Sequence, residues 1–326
     1  MITVPYRRRQ VVAPGVTCTF LDAGHVLGSA IVVLDIDDDG AHTRIAFTGD
    51  LGRHHLPILR DPEVPDGGAL PDHGEHLRRP VARPIEQAGD ALAEVIERTC
   101  KRGGKVIIPS FALERAGDRL RAEAAHGAGQ APNIPVYVDS PLTVSSRRSS
   151  AAPRLLRPGG LRPAEQRRLA LRLRGPALRL RRRGVQGDRR EARPAIIISA
   201  SGMCEGGRVL HHLRAAIGRP ENTVVIVGFQ AEHTLGRRLV EKRDEVRIFG
   251  LPYRREAEVA VLNGFSAHAD QAGLLDYAES VRRRGKLRRV ILVHGEPGAQ
   301  AVLMKELDER GFPTVDAPSA GQRIRL

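Results

Sequence analysis

What most constrains this chain is a series of short apolar runs, each closed by a polar loop. VTCTFLDA (16–23), AIVVLDID (30–37) and TRIAFTGD (43–50) are β-branched and alternate or run apolar, as strands do. KVIIPSFA (105–112), NIPVYVDSPL (133–142), AIIISASGM (195–203), NTVVIVGF (222–229) and RRVILVHGE (288–296) repeat the strand-then-loop pattern. GDALAEVIERTCKRGGK (89–105) reads as an amphipathic helix closed by glycine, and DQAGLLDYAESVRRRGK (270–286) as a helix leading into a strand. Strands alternating with helices imply a layered α/β fold. A length of 326 residues is enough for two domains with a sizeable core.

Some function classes are disfavoured early. No run of about eighteen apolar residues occurs, so no membrane partner is expected. The start, MITVPYRRRQ, lacks the apolar stretch of a secretory signal. Cys18, Cys100 and Cys204 form no CxxC pair, so a cytoplasmic chain with unpaired thiols is the expectation.

A net charge of +14 resembles the footprint of a nucleic-acid binder. Its location argues otherwise. Residues 145–193 hold 16 Arg against Glu165, Asp188 and Glu191, which is +13, leaving about +1 for the rest. This stretch, like 64–83 and 117–125, shows no period of 2 or 3.6. Its composition alone reads as a disordered basic linker.

Four motifs carry the chemistry: DAGHVLGSA around His25, FTGDLGR around Asp50, GFSAHAD around His268, and LVHGE around His294. Each is placed at the end of an expected strand, where loops carry function in α/β folds. Imidazole and carboxylate suit Zn²⁺, or Mn²⁺ where oxygen ligands dominate. Any one such His is more often structural; the ordered set is far more specific. Other histidines invite the plainer reading. His211 and His212 should open a helix, where one face is usually core. His54 with His55, and His73 with His76, have ligand-pair spacing, but the latter pair sits in an unreadable segment. Asp139 closes a strand, open between substrate contact and loop capping.

Taken together, these motifs resemble those of the β-CASP subgroup of the metallo-β-lactamase superfamily, closely its bacterial ribonuclease members. The resemblance covers roughly 15–63, 84–116, 126–144 and 194–326. It implies that His25 and Asp50 are metal ligands, Asp50 bridging two zinc ions, and that His294 ligates the second. It also implies that His268 sits over the scissile phosphate as acid or phosphate-stabilising group, and that Ser266, Ser201 and Gly202 contact RNA phosphates. His233 falls where members of the family carry glycine (QAEGTLG).

The family's His-x-His-x-Asp-His motif does not occur in this sequence. A catalytic zinc normally needs three protein ligands plus water, so three remaining ligands for two ions imply an N-terminally truncated chain with an incomplete site and impaired activity. The family's Glu-Ser-Thr-Tyr-Gly motif is missing too. A coding run for DYLIMESTYGDR, read two bases later, gives LPDHGEHLRRP, identical to 70–80. The same offset turns GLRYVSDVEESKA into PALRLRRRGVQGD (176–188), and QEIVYA into GDRLR (117–121). The unreadable segments are therefore read as frame-shifted products of a GC-rich gene, and 145–193 is expected to lack a coherent core.

The expected fold is α/β: a partial metallo-β-lactamase αββα sandwich with an inserted β-CASP α/β domain. Residues 1–84 and 256–326 form the first, and 85–255 the second. The expected function is metal-dependent cleavage of single-stranded RNA in the cleft between domains, with a homodimer in view. Two other readings stay open: a non-catalytic RNA-binding relic, and a metallo-hydrolase acting on DNA ends or small esters.

Overall fold

The computed structural model describes residues 3–55, 59–65, 85–110, 134–139, 194–262, 264, 266–285 and 287–324. His73, His76 and the segments 117–125 and 145–193 lie outside the described residues, as does 64–83 beyond Val64 and Pro65. The chain divides into two compact units, residues 1–81 with 268–326, and 82–267. Among the described residues, no helix is long and apolar enough to cross a membrane.

In the first unit, β1 (Gln10–Ala13), β2 (Val16–Asp22), β3 (Ala30–Asp38) and β4 (Ala41–Phe47) form an antiparallel sheet in that order. The β3–β4 turn is Asp39-Gly40, both residues at positive φ (44° and 85°). That backbone matches the twist of the flanking strands and pins the register at Asp38 opposite Ala41. Strand side chains alternate between faces. Ile31 and Val33 thus share one face, and they pack with Ala23, Leu51 and Tyr277.

Tyr277 belongs to α4 (Gln271–Arg284), whose first turn is capped by Asp270 accepting from the Gly273 amide at 2.9 Å. Leu275, on the same helix, instead joins Leu307 and Phe312. Leu307 lies on α5 (Pro297–Glu309). The expected strand 288–296 contracts to β12 (Val290–Ile291), whose ladder partner among the described residues, β13 (Val315–Asp316), is two residues long.

The second unit is built on a parallel sheet of β5 (Lys105–Pro109), β6 (Val136–Asp139), β7 (Ala195–Ser199), β8 (Thr223–Ile226) and β11 (Glu258–Val261). Their spatial order is β11-β8-β5-β7-β6. Continuous Val/Ile runs are what a parallel sheet covered on both faces requires. Ile107 faces α2 (Val209–Ala216), α3 (Leu235–Val240) and the hairpin β9 (Glu245–Ile248)–β10 (Leu251–Arg254). Its neighbours Val106 and Ile108 face Leu92, Val95 and Ile96 of α1 (Ile85–Lys101). Gly104, just before β5, lets the chain pass Glu221 closely: a Cβ there would lie 1.7 Å from the Glu221 carbonyl oxygen.

Candidate functional site

In the first unit, three of the loops carrying the sequence motifs, those of His25, Asp50 and His268, are stitched together through backbone hydrogen bonds. The Gly52 amide donates to Ala23 O at 2.8 Å, the Ala269 amide donates to Leu51 O at 2.8 Å, and Gly52 bridges His268. Space for this comes from glycine. A Cβ on Gly52 would sit 1.9 Å from Gly24 O and 2.6 Å from His25 N. The DAGH turn is held from inside, since the Ser29 hydroxyl accepts from the amides of His25 and Val26, each at 3.2 Å. Gly24 adopts φ +67° there, a conformation cheap only for glycine.

This stitching brings His25, Asp50 and His268 together, with one potential ligand atom from each lying within 4.8 Å of the others. His25 is buried, His268 half-buried and Asp50 exposed, a gradation from core to solvent. The His25 and His268 rings lie 4.2 Å apart, tilted by 36°. Burial holds the His268 imidazole below the usual histidine range; the nearby His25 and His294 act the same way, against the Asp50 carboxylate. Two imidazoles and a carboxylate are a donor set for zinc or a similar divalent ion, whose ligand atoms stand about 3–4 Å apart. The chemistry of this donor set fits a divalent ion, with the atoms as placed within 4.8 Å of one another.

His294 is exposed and at φ +59°, near enough for its charge to act on His268. His268, expected above the phosphate, lies with its ligand atom within 4.8 Å of those of His25 and Asp50. His54 and His55 lie beside Asp61, at 4.0 and 3.9 Å. Ser266 is half-buried in the loop leading to His268.

In the second unit, Ser201 and Gly202 lie in the loop between β7 and α2. Ser201 N and Oγ both donate to Gly206 O, at 3.0 and 3.2 Å. Asp139, at the end of β6, has both oxygens engaged, by Arg208 Nη1 at 2.5 Å and His212 Nε2 at 2.9 Å. This is the geometry of a clamp joining a strand end to α2. It favours the loop-holding reading of Asp139 and gives His212 a structural partner. Burial pushes the Asp139 carboxyl up, but His212 and Arg208 outweigh it and hold it below the usual carboxylate range.

The depressed folded-state value means Asp139 adds stability that is present above its unfolded value of 3.8 and fades as pH falls through the folded one. Asp139→Asn is expected to cost about 2 kcal/mol at pH 7. In denaturant titrations, its deficit against wild type should shrink below about pH 4. A deficit independent of pH would exclude the clamp.

Sequence reasoning missed Arg208 and Gln230. Buried Gln230 donates through Nε2 to the carbonyls of Gly202 (3.2 Å), Gly228 (3.3 Å) and Phe229 (2.9 Å). The signal available was that GFQ closes the run NTVVIV as the other functional loops close theirs. His233 takes φ +66°, so the position where the family carries glycine does have glycine-like backbone.

The Beta-Casp domain family matches residues 119–239. The family described as a Zn-dependent metallo-hydrolase RNA specificity domain matches residues 252–317. Ribonuclease TTHA0252 of Thermus thermophilus is 35% identical over 311 residues, covering 90% of this chain and 65% of that protein. Transcription termination factor FttA of Pyrococcus horikoshii is 32% identical over an alignment of 348 positions, covering 100% of this chain and 51% of its own length. An RNase J-like protein of Methanocaldococcus jannaschii is 30% identical over 306 residues, covering 89% and 66%. The chain thus spans between about half and two thirds of the length of these relatives. With an α/β architecture, a parallel sheet in its central unit and these two family matches, the chain belongs to the β-CASP group of the metallo-β-lactamase family.

Proposed function

We propose that this chain is a metal-dependent hydrolase acting on phosphodiester bonds of single-stranded RNA. The observation that carries the reading is the convergence of His25, Asp50 and His268 within 4.8 Å. The ribonuclease named among the relatives and the RNA specificity domain family support RNA as the substrate class. His25 and Asp50 would hold the ion, zinc or manganese, with His294 extending the ligand set from the neighbouring loop. A bound divalent ion supplies a water of lowered pKa and positive charge beside the phosphate. His268 would donate a hydrogen bond or proton to the phosphate oxygens. Ser266, Ser201 and Gly202 would orient the strand through its phosphates, contacts that carry no sequence preference.

The test is metal content together with cleavage. Protein loaded with Zn²⁺ or Mn²⁺ should retain about one or more equivalents after dialysis, and His25→Ala should lose them. Labelled single-stranded RNA should be cut by the loaded protein and left intact after chelation, with single-stranded DNA and a small ester as parallel substrates. Less than one equivalent bound, with RNA still captured, would make the chain a non-catalytic RNA binder instead.

A further inference from the structure

Aromatic side chains are scarce in this protein, at 3% of residues with no tryptophan. Yet Phe229 exposes 54% of its surface. It follows β8, at the carboxyl edge of the parallel sheet, where open α/β sheets take their ligands. Phe249 is also exposed, but its ring already faces His211 at 4.8 Å and the Arg214 guanidinium at 5.6 Å.

The backbone beneath Phe229 is held by Gln230, which is 95% buried and shares its two amide protons among three carbonyls, those of Gly202, Gly228 and Phe229. Three acceptors around one end fix which end is the nitrogen. Because Gly202 O and Phe229 O sit on the same nitrogen, the Phe229 loop and the Ser201-Gly202 loop are adjacent. Room for Gln230 comes from Gly236, where a Cβ would fall 1.6 Å from Oε1. The Gly236 amide in turn donates to Met203 O at 3.1 Å, closing the tie. An exposed ring on a braced loop is a platform that loses little conformational freedom when a flat ligand covers it.

We propose that Phe229 is a base-stacking platform, and that with the Ser201-Gly202 loop it forms a nucleotide subsite for single-stranded RNA. The ring takes the face of an unpaired base, and the adjacent loop borders it. This rests on the RNA reading above, and it adds a binding element that the metal centre does not require. Stacking is tolerant of base identity because every base has a π-face, so the subsite grips without selecting sequence.

The test uses the full chain, without added metal so that the probe is not cut, and a fluorescent single-stranded oligoadenylate. Phe229→Leu keeps an apolar side chain but removes the flat face, and it should bind roughly tenfold more weakly. Phe229→Trp should bind at least as well as wild type. Unchanged thermal unfolding of both variants shows that the fold persists, as an exposed position allows. A probe series with one abasic site moved along the strand should contain a position at which wild type and Phe229→Leu bind equally. Equal affinity of Phe229→Leu and wild type for the intact probe would overturn the platform while leaving the RNA reading in place. No binding of the probe by wild type would overturn both.

Discussion

Gly52→Ala is expected to lower the unfolding free energy by about 3 kcal/mol and to abolish metal retention. The cause is steric. The new Cβ would lie 1.9 Å from Gly24 O, 2.1 Å from Gly24 C and 2.6 Å from His25 N, all of them backbone atoms that cannot rotate away. Gly52 and Gly24 must separate, which breaks the Gly52 N–H to Ala23 O bond and pulls the Asp50 loop off His25. Denaturant unfolding and metal content by mass spectrometry measure the two effects. Gly298→Ala, in α5 with open space around it, is the control and should be neutral or slightly stabilising. Wild-type stability in Gly52→Ala would mean that the two loops are not in contact.

His268→Ala separates two roles for the same imidazole. If His268 serves the phosphate, as proposed, kcat should fall about 10²–10⁴-fold with bound metal unchanged, the range of a lost acid or base. Substrate affinity should move much less, because the group then acts mainly in the transition state. Loss of the metal together with activity would make His268 a ligand, the role its proximity to His25 and Asp50 also allows. A variant with wild-type kcat and wild-type metal content would remove His268 from the site altogether.

The strand pattern was legible because it is local. Val106, Ile107 and Ile108 alternate between two helical layers just as an apolar run buried on both faces demands. Expectation and structure part at RRVILVHGE, where apolar character suggested a full strand. The ladder stops at Ile291 because β13 offers two residues of backbone and no more. A strand's length depends on its neighbour, and the neighbour here lies more than twenty residues downstream.

By itself the sequence determined the α/β alternation, the four loops that carry His25, Asp50, His268 and His294, and the glycines that let those loops turn. All of these follow from side-chain periodicity and backbone freedom within a few residues. Only the tertiary structure decided that His268 comes within 4.8 Å of His25 and Asp50, and that Asp139 spends both oxygens on Arg208 and His212. Only the tertiary structure joined Gln230 to Gly202 and set Phe229 beside that loop. The physical reason is the same in each case. These are hydrogen bonds and close approaches between residues about twenty-five to more than two hundred positions apart, and their partners are chosen by packing rather than by any local pattern.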